Sequence, residues 1–535
     1  MNDHQNPEPR SIPPVPPDSR SKNRSRYILV NTLSSYGRDV VDTITFLVLI
    51  PFIIKTLGTD AFGLWSLIWS FLAFFELADM GFGASVVKYV ADARGRQDMA
   101  RQQAIVCTLF WIYVALGIIV MGGVAVSLLF FNRVFDIPVA QAASARWVLM
   151  IIGVRSALYM PLGMFRGVLV GHQKMKVTNG YKVLGSIAYF VSVLLVLTHI
   201  PDLRVLAGLN ALMGVLPMFA MLVHVTITLP DLSLHPRHFD RSLVRELSSF
   251  SVYFSLIQIA GLIATRVDAI VIKLFMPLQM VAVYAIGMRL STKAEQFCYH
   301  LIKALTPVVA ELHGGNDQQN IRAVWYRGSK LTIACSTPLL LGLALLAEPL
   351  IIMWTSPEFT LSVPVCQWLT AAVMIAVIHG NTENVLSMGG EQRFLAFSTL
   401  GCQALNLGLS LLLIHVYGIT GVAMATFLAY VPIYAGLIQT RAGRIHGQSH
   451  WVFYRATLIP SAVPALLMAA FLLGVQRFWP LTNLAEVAIL ELLGTLLFGA
   501  AFWIIGFNAK ERGYFKEKIF SHAFRRRYRA EGDRT

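Results

Sequence analysis

Charged and polar side chains recur inside long apolar stretches of this chain, at spacings that bring them onto one helical face. In the first stretch they follow steps of four, three, four and three: Asn31, Ser35, Arg38, Asp42 and Thr45. A later stretch repeats the same steps: Arg289, Lys293, Gln296, His300 and Lys303. These steps place each set along one face of an α-helix. Since ionisable groups at membrane depth are costly, they usually face a cavity or pair with each other.

Two further arginines, Arg155 and Arg266, also lie in apolar stretches. Arg155 is too far from either end of its stretch for the side chain to reach the membrane surface, whereas Arg146, Arg166 and Lys182 are assigned to the interface. Arginine offers bidentate hydrogen bonds to phosphate oxygens and lysine offers a point charge. The excess of cations therefore predicts a polar cavity for a hydrophilic anion, and a pyrophosphate bearing sugars fits it.

Structural pairing is the alternative interpretation of these charges. Arg38 and Asp42 are four residues apart and could form an ion pair on the helix surface. The cations of the second stripe could pair with Glu295 or with neighbouring helices. Both interpretations remain open at this level, although the second stripe has more cations than nearby acids.

Acidic residues at membrane depth are candidates for ion coupling. They are Asp42, Glu76, Asp79 and Glu383. Such carboxylates can carry protons or bind Na⁺ in a coupled transporter, and the alternative is that they only neutralise the cations. No cofactor and no metal site is predicted, and coupling to a proton or sodium gradient is the energy source that we expect. Polar residues near the stripes are expected to contact sugars: Gln258, Gln296, His300, Asn381 and Asn384.

The elements that carry these residues are apolar runs of about twenty residues, each long enough to cross a ~30 Å hydrocarbon core. Only 14% of the residues are charged and 56% are apolar. We predict fourteen transmembrane helices, at 27–54, 62–90, 104–131, 142–170, 177–199, 205–227, 248–274, 281–312, 322–352, 363–388, 394–416, 419–440, 451–474 and 485–507.

The loop charges predict the orientation of the chain. About 27 Lys and Arg residues fall on the side of both termini, against four on the other side: Lys55, Arg133, Arg204 and Arg477. This asymmetry predicts that both termini are cytoplasmic. It also accounts for the net charge of +15 without a nucleic-acid partner. Both tails, 1–26 and 508–535, are predicted to be cytoplasmic, the first disordered and the second a basic signal of topology.

The chain is predicted to contain two related lobes. Ile54-Lys55 and Ile272-Lys273 lie 218 residues apart, and Asp98 and Asp317 lie 219 apart. The predicted fold is an all-α polytopic membrane protein with lobes at 27–227 (spans 1–6) and 248–440 (spans 7–12), a cytoplasmic linker at 228–247, and two additional helices at 451–507. Parallel repeats of this kind place a substrate site between lobes near the midplane.

Motifs of catalysis are missing from the sequence. It contains no G-x-x-x-x-G-K-[ST], H-E-x-x-H, D-x-D or G-x-S-x-G pattern, and its five cysteines form no C-x-x-C pair. No outer loop exceeds about ten residues, so a membrane enzyme that polymerises or ligates glycans is disfavoured, because it predicts a catalytic outer loop. The chain is predicted not to be an enzyme.

Two motifs around the second span carry a family resemblance. They are Leu57–Leu67 (LGTDAFGLWSL) and Leu77–Ala91 (LADMGFGASVVKYVA), the latter followed by Arg94, Arg96 and Asp98. The sequence resembles the polysaccharide-transporter (Wzx-type flippase) family of the multidrug/oligosaccharidyl-lipid/polysaccharide exporter superfamily, most specifically over residues 27–105. The resemblance implies two helical lobes in a V, alternating access, and a cationic cavity that takes an undecaprenyl-pyrophosphate-linked oligosaccharide from the cytoplasmic face.

The resemblance also implies roles for individual residues. Arginines of spans one, two and eight line the cavity of related flippases, so Arg38 and Arg289 take that role here, whereas span two has Glu76 and Asp79 and no arginine at depth. The full set predicted to bind substrate is Arg38, Arg155, Arg266, Arg289, Lys293, Gln296, His300 and Lys303. Expected partners are the lipid-linked glycan, membrane lipids and other polysaccharide-assembly membrane proteins of a bacterial inner membrane. A multidrug or small-metabolite antiporter is the main rival, and it predicts an acidic cavity.

Overall fold

The computed structural model describes residues 19–79, 82–315, 317–509 and 511–513, with side chains for all of these except 19–36, 76, 84, 248–260 and 263–265. The described chain is helical and contains no strand, which confirms the predicted all-α class. The predicted tails at 1–26 and 508–535 lie largely outside the described residues, but residues 19–26, predicted to be disordered, form the start of a helix. The α-helices are α1 (Ser19–Leu57), α2 (Thr59–Leu72), α3 (Phe82–Gly95), α4 (Met99–Val134), α5 (Val139–Gly171), α6 (Met175–His199), α7 (Leu203–Thr228), α8 (Arg241–Phe275), α9 (Leu278–Gly314), α10 (Gln318–Leu345), α11 (Ala347–Trp354), α12 (Ser362–Met388), α13 (Gln392–Tyr430), α14 (Gln439–His446), α15 (His450–Thr457), α16 (Ile459–Phe478) and α17 (Leu484–Ala501).

Eleven helical segments of the described chain are long and apolar enough to cross a membrane. One of them, Gln392–His446, contains a break at Gly418, where φ is 59° and ψ is −139°. Glycine reaches this conformation more easily than any other residue, and the predicted spans 394–416 and 419–440 meet there. Helices α8 and α9, of 35 and 37 residues, are more polar and are not among the eleven. The polytopic membrane fold is therefore confirmed, and the count of fourteen stays a prediction.

Large apolar side chains cover the outward faces of the long helices. Ile118 on α4, Leu184 on α6, Leu466 on α16 and Leu496 on α17 are each more than half exposed. A soluble protein rarely exposes apolar surface in contiguous patches of this kind. In a membrane these apolar faces contact lipid. The helical backbone tolerates this environment because its hydrogen bonds are satisfied within each helix.

The helices pack in two groups followed by a hairpin. In the first group α5 packs on α4 and α7, and α6 packs on α1 and α7. In the second group α12 packs on α9, α10 and α13, and α13 also packs on α8. Helices α16 and α17 pack on each other and on α10.

Two aspartates separated by the repeat offset have the same structural role. The Asp98 carboxylate accepts the backbone N–H of Arg101 at 2.9 Å and begins α4, while the Asp317 carboxylate accepts that of Asn320 at 3.1 Å and begins α10. Both are N-caps, which satisfy backbone donors that have no partner in the first turn. The helices that follow them occupy comparable places in the two groups.

The segment between the groups is bound along α4. The Gln103 side chain donates to the backbone carbonyl of Ser233 and accepts the N–H of the same residue at 2.8 Å. The Trp111 indole donates to the Leu234 carbonyl at 3.1 Å. The linker was predicted at 228–247, but residues 241–247 already belong to α8. The connection that remains, 229–240, is fixed to the first group through these contacts.

The two groups meet where α1 ends and α2 begins. The Trp354 indole donates to the Leu47 carbonyl at 2.8 Å, and the Thr59 hydroxyl donates to the Glu358 carboxylate at 3.2 Å. The helices α2 and α9 also pack closely here. The two groups are thus in contact at this end, and the space between them lies further toward the start of α1.

Candidate anion-binding cavity

A cavity of about 1130 Å³ lies between the two groups of helices. Its walls come from α1, α5, α6 and α7 on one side and from α9 on the other. Basic side chains on the wall outnumber acidic ones by six to three. The basic residues are Arg38, Arg155, Arg166, Lys182, Lys293 and Lys303, the acidic ones are Asp39, Asp42 and Glu295, and His300 is also on the wall.

The structure places six of the eight predicted substrate-binding residues on this wall. They are Arg38, Arg155, Lys293, Gln296, His300 and Lys303. Arg266 and Arg289 do not line the cavity. The Arg289 guanidinium lies over the Phe62 ring, 5.5 Å from its centroid. Its ionisable neighbours are Arg266 and Tyr189, and Tyr189 is a wall residue, so Arg289 lies behind the wall at the closed end.

The pairing of Arg38 differs from the pair considered from the sequence. Its Nη2 donates to Asp39 at 2.7 Å and its Nε to the same oxygen at 3.2 Å. The Nε–Asp42 distance is 3.9 Å, at the limit of an ion pair. Asp39 is also 3.5 Å from His300 Nε2 on the opposite wall. Asp39, not Asp42, is therefore the main partner of Arg38.

Aromatic rings and a glycine position two of the other cations. The Arg155 guanidinium is 4.9 Å from the centroid of the Trp69 ring, and its other side faces Gly214 on α7. The Lys293 ammonium is 5.7 Å from the centroid of Phe46. Cation–π contacts of this kind stabilise a charge without neutralising it. Both side chains are thus positioned on the cavity wall by aromatic rings.

The predicted ion-coupling acids lie in separate places. Asp42 is on the cavity wall and accepts the Ser186 hydroxyl at 2.8 Å. Asp79 lies away from the cavity and accepts the Tyr113 hydroxyl at 2.5 Å. Glu383 lies in α12, where its acidic neighbour is the wall residue Glu295. The Glu76 side chain lies outside those that the structure describes.

Two residues expected to contact sugars are instead buried in the second group of helices. The Asn381 amide donates to the Thr332 hydroxyl at 2.9 Å, and the Asn384 amide donates to the Ile302 carbonyl at 3.4 Å. Neither lines the cavity, so this expectation was wrong. Of the other three, Gln296 and His300 are on the wall, and the Gln258 side chain lies outside those described.

Several residues of the cavity wall were not predicted from the sequence. Asp39 lies one position away from the stripe of α1, so the helical spacing did not include it. Arg166 and Lys182, assigned to the interface, line the cavity. On α6, Lys182, Ser186 and Tyr189 follow steps of four and three, the same signal that marked α1 and α9, and it could have identified this wall.

The described residues contain no cluster of three or more His, Cys, Asp or Glu side chains that could hold a metal ion. Residues 28–313 match the model of the polysaccharide biosynthesis protein family. This chain belongs to that family. Its membership confirms the resemblance carried by the motifs around the second span.

The chain is similar in sequence to two named membrane proteins. The chain is 21% identical over 421 residues to the uncharacterized membrane protein EpsK of Bacillus subtilis, across 77% of this chain and 82% of EpsK. It is 23% identical over 257 residues to the probable low-salt glycan biosynthesis flippase Agl15 of Haloferax volcanii, across 48% of this chain and 53% of Agl15.

Solved structures share the fold of this family member. An inward-facing multidrug resistance MATE transporter of the MOP superfamily superposes with a TM-score of 0.66 at 14% identity, covering 77% of this chain and 96% of the transporter. The lipid II flippase MurJ, in an inward closed conformation, superposes with a TM-score of 0.64 at 13% identity, covering 89% of this chain and 99% of MurJ. At these identities the likeness shows the fold alone, and it confirms the predicted superfamily architecture.

Proposed function

We propose that this protein is a flippase that moves a polyprenyl-pyrophosphate-linked oligosaccharide from the cytoplasmic to the periplasmic leaflet, for the biosynthesis of surface polysaccharide. The observation that carries the proposal is the excess of cations on the cavity wall, six against three acids. A diphosphate offers several anionic oxygens, which accept bidentate hydrogen bonds from Arg and point-charge contacts from Lys. The glycan named with Agl15 supports the same substrate class.

The cavity also offers a route for the lipid. Its lining includes the apolar side chains of Val40 and Ile44 on α1 and of Phe297 on α9. Val40 and Phe297 are also largely exposed, at 57% and 59%. Apolar side chains at the open edge between these helices would let a polyprenyl tail remain in the bilayer while the head group enters. We therefore propose entry from the side, between α1 and α9.

The closed end supports the direction of transport. The Trp354–Leu47 and Thr59–Glu358 contacts close the groups at the end opposite the termini. With both termini cytoplasmic, as the loop charges predict, this closed end is periplasmic and the cavity is open toward the cytoplasm. The conformation is then one that accepts substrate from the cytoplasmic leaflet. Alternating access would open the other end.

The charge of the wall also separates the proposal from its rivals. A multidrug antiporter shares the fold, but a cationic drug would be repelled by a wall with more basic than acidic residues. A glycan polymerase or ligase would need catalytic groups on a substantial outer loop. The connections on the periplasmic side are short, such as 58 between α1 and α2 and 200–202 between α6 and α7.

Energy coupling is part of the proposal. We propose that a proton or sodium gradient drives the cycle and that Asp42, Asp79 and Glu383 are the acids to test for it. Other membrane proteins of polysaccharide assembly would receive the product in the periplasmic leaflet, at a bacterial inner membrane.

The test is made in a strain that lacks this gene. Lipid-linked oligosaccharide should accumulate on the cytoplasmic side, and the wild-type gene should clear it. Lys293→Ala should lower glycan export at least about tenfold, because it removes a charged contact to the diphosphate. Lys176→Ala, an exposed lysine at the start of α6 that does not line the cavity, is the matched control.

The same strain distinguishes the rivals. Unchanged lipid-linked glycan together with altered resistance to small toxic compounds would transfer the protein to drug export. Normal export in both Lys293→Ala and Arg38→Ala variants, which each remove a cation of the cavity wall, would contradict the cationic site.

A further inference from the structure

An acidic side chain, Asp39, occupies a donor edge of Arg38 in the cationic cavity. Asp39 accepts two hydrogen bonds from Arg38 on one carboxylate oxygen, at 2.7 and 3.2 Å. The donors are Nη2 and Nε, which form one edge of the guanidinium. This is one of the guanidinium edges that can bind a carboxylate or a phosphate through two parallel hydrogen bonds; here both donors share one Asp39 oxygen. The third nitrogen, Nη1, faces Asn179 at 3.4 Å.

The second oxygen of the same carboxylate faces the other wall. Asp39 Oδ2 is 3.5 Å from His300 Nε2 on α9, whereas Arg38 and Asp39 both belong to α1. One carboxylate therefore spans the cavity between the two groups of helices. All three side chains are partly exposed to the cavity and line it.

We propose that Asp39 is an internal counter-anion, which occupies part of the diphosphate site in the empty transporter and is displaced when the diphosphate binds. This inference rests on the proposed function. A phosphate oxygen would take the Nη2/Nε edge of Arg38, and the other phosphate would face His300 across the cavity. The carboxylate and the phosphate have the same charge sign and compete for the same donors.

The exchange explains how a cavity rich in cations can be empty in a membrane. Without an anion, the charge on the wall would be poorly compensated at a depth where unpaired charge is costly. Asp39 supplies compensation in the empty state, so the transporter can return without carrying an anion back. After displacement the link between α1 and α9 passes from the carboxylate to the diphosphate.

Asp42 provides a matched comparison. It lies on the same helix and the same wall, but its nearest approach to Arg38 is 3.9 Å and its other oxygen accepts the Ser186 hydroxyl at 2.8 Å. Asp39→Asn and Asp42→Asn remove the same charge from the cavity. Only Asp39→Asn removes the carboxylate that occupies the Arg38 edge.

The experiment measures the binding of geranylgeranyl diphosphate to the purified full chain in nanodiscs, with geranylgeraniol as the probe without the anion. We expect the wild type to bind the diphosphate and Asp39→Asn to bind it roughly tenfold more tightly, because a competing charge-assisted hydrogen bond is lost. Asp42→Asn should change the affinity less than threefold, and Asp39→Glu, which keeps the charge, should resemble the wild type. Thermal unfolding without probe reports whether each variant is folded.

Each other outcome has a defined meaning. Equal tightening in both Asn variants would show that only the general charge of the cavity matters, and it would overturn the counter-anion role. Unchanged or weaker binding by a folded Asp39→Asn would also overturn it, while diphosphate binding by the wild type would leave the flippase proposal standing. No binding by the wild type or by either Asn variant would overturn both proposals.

Discussion

The Arg155 guanidinium lies in the cavity wall between the Trp69 ring and the backbone of Gly214. Trp69 lies under its guanidinium, and Gly214 leaves the space on α7 that the guanidinium fills. A Cβ atom at position 214 would lie 2.7 Å from Arg155 Nε, closer than the atoms can approach. The position of this cation therefore depends on a residue that has no charge and no side chain.

Replacing this glycine should displace Arg155. Gly214→Ala is expected to cost about 1–3 kcal/mol in packing or to move the guanidinium off Trp69, and in either case to lower glycan export. Gly208→Ala on the same helix is the control, since a Cβ there meets no neighbour. Export assays in the deletion strain, with protein levels measured in parallel, compare the two variants. Equal export by both would show that Arg155 need not stay where it is.

For single residues, the sequence predicted which side chains share a helical face better than it predicted which side chains they contact. Helical spacing assigned five residues to one face of α9. Four of them line the cavity, Lys293, Gln296, His300 and Lys303, whereas Arg289 does not. The spacing could not assign Asp39, which lies off the stripe and reaches Arg38 by a local contact. Helical spacing also does not identify the helix that a given face packs against. Asn381 was therefore expected to contact sugars, whereas its amide donates to the Thr332 hydroxyl of a neighbouring helix.

Among the elements, the segment 229–240 was predicted as part of a linker, but in the structure it is bound to α4. Its length and its prolines and histidines are typical of a loose connection. The side chains that bind it belong to α4, more than a hundred residues earlier, and hydrogen bonds from Gln103 and Trp111 go to its main chain. Main-chain partners leave no pattern in the sequence of the bound segment, so only the structure reveals them.

Removing one of these contacts should loosen the segment. Gln103→Leu keeps the size of the side chain and leaves both main-chain groups of Ser233 without this partner. We expect a loss of about 1–3 kcal/mol in stability, from two hydrogen bonds, seen as a lower melting temperature of the purified protein. Gln319→Leu, at an exposed position at the start of α10, should stay within about 0.5 kcal/mol of the wild type. Identical melting of the two variants would show that the contact is not stabilising.

The whole molecule is closed at one end and open at the other, and transport by alternating access requires this difference to reverse. At the closed end Thr59, at the start of α2, is in contact with Glu358, in the segment before α12. The class of fold followed from composition and apolar runs. The conformation could not follow from the sequence, because the proposed cycle requires one sequence to adopt both conformations.

A reversible cross-link should stop the cycle. Thr59→Cys with Glu358→Cys, in a Cys335→Ser background that removes an exposed thiol, should be joined by a short bifunctional thiosulfonate reagent. We expect cross-linking to abolish flipping in proteoliposomes and a reductant to restore it. Thr59→Cys alone, treated with the same reagent, should remain active. Full flipping by the cross-linked protein would contradict opening at this end.

The attachment of segment 229–240 to α4 determines where the protein must bend. The first turns of α8 are also bonded to the first group, through Tyr89 to the Glu246 carbonyl at 3.4 Å and Arg101 to the Glu246 carboxylate at 3.0 Å. The far end of α8 is bonded to α9 through Asp268 and Tyr284. Since the connection before α8 is bound to α4, a rotation of one group against the other in the proposed cycle would have to twist or bend α8 itself. In that cycle α8 would be the lever between the two groups.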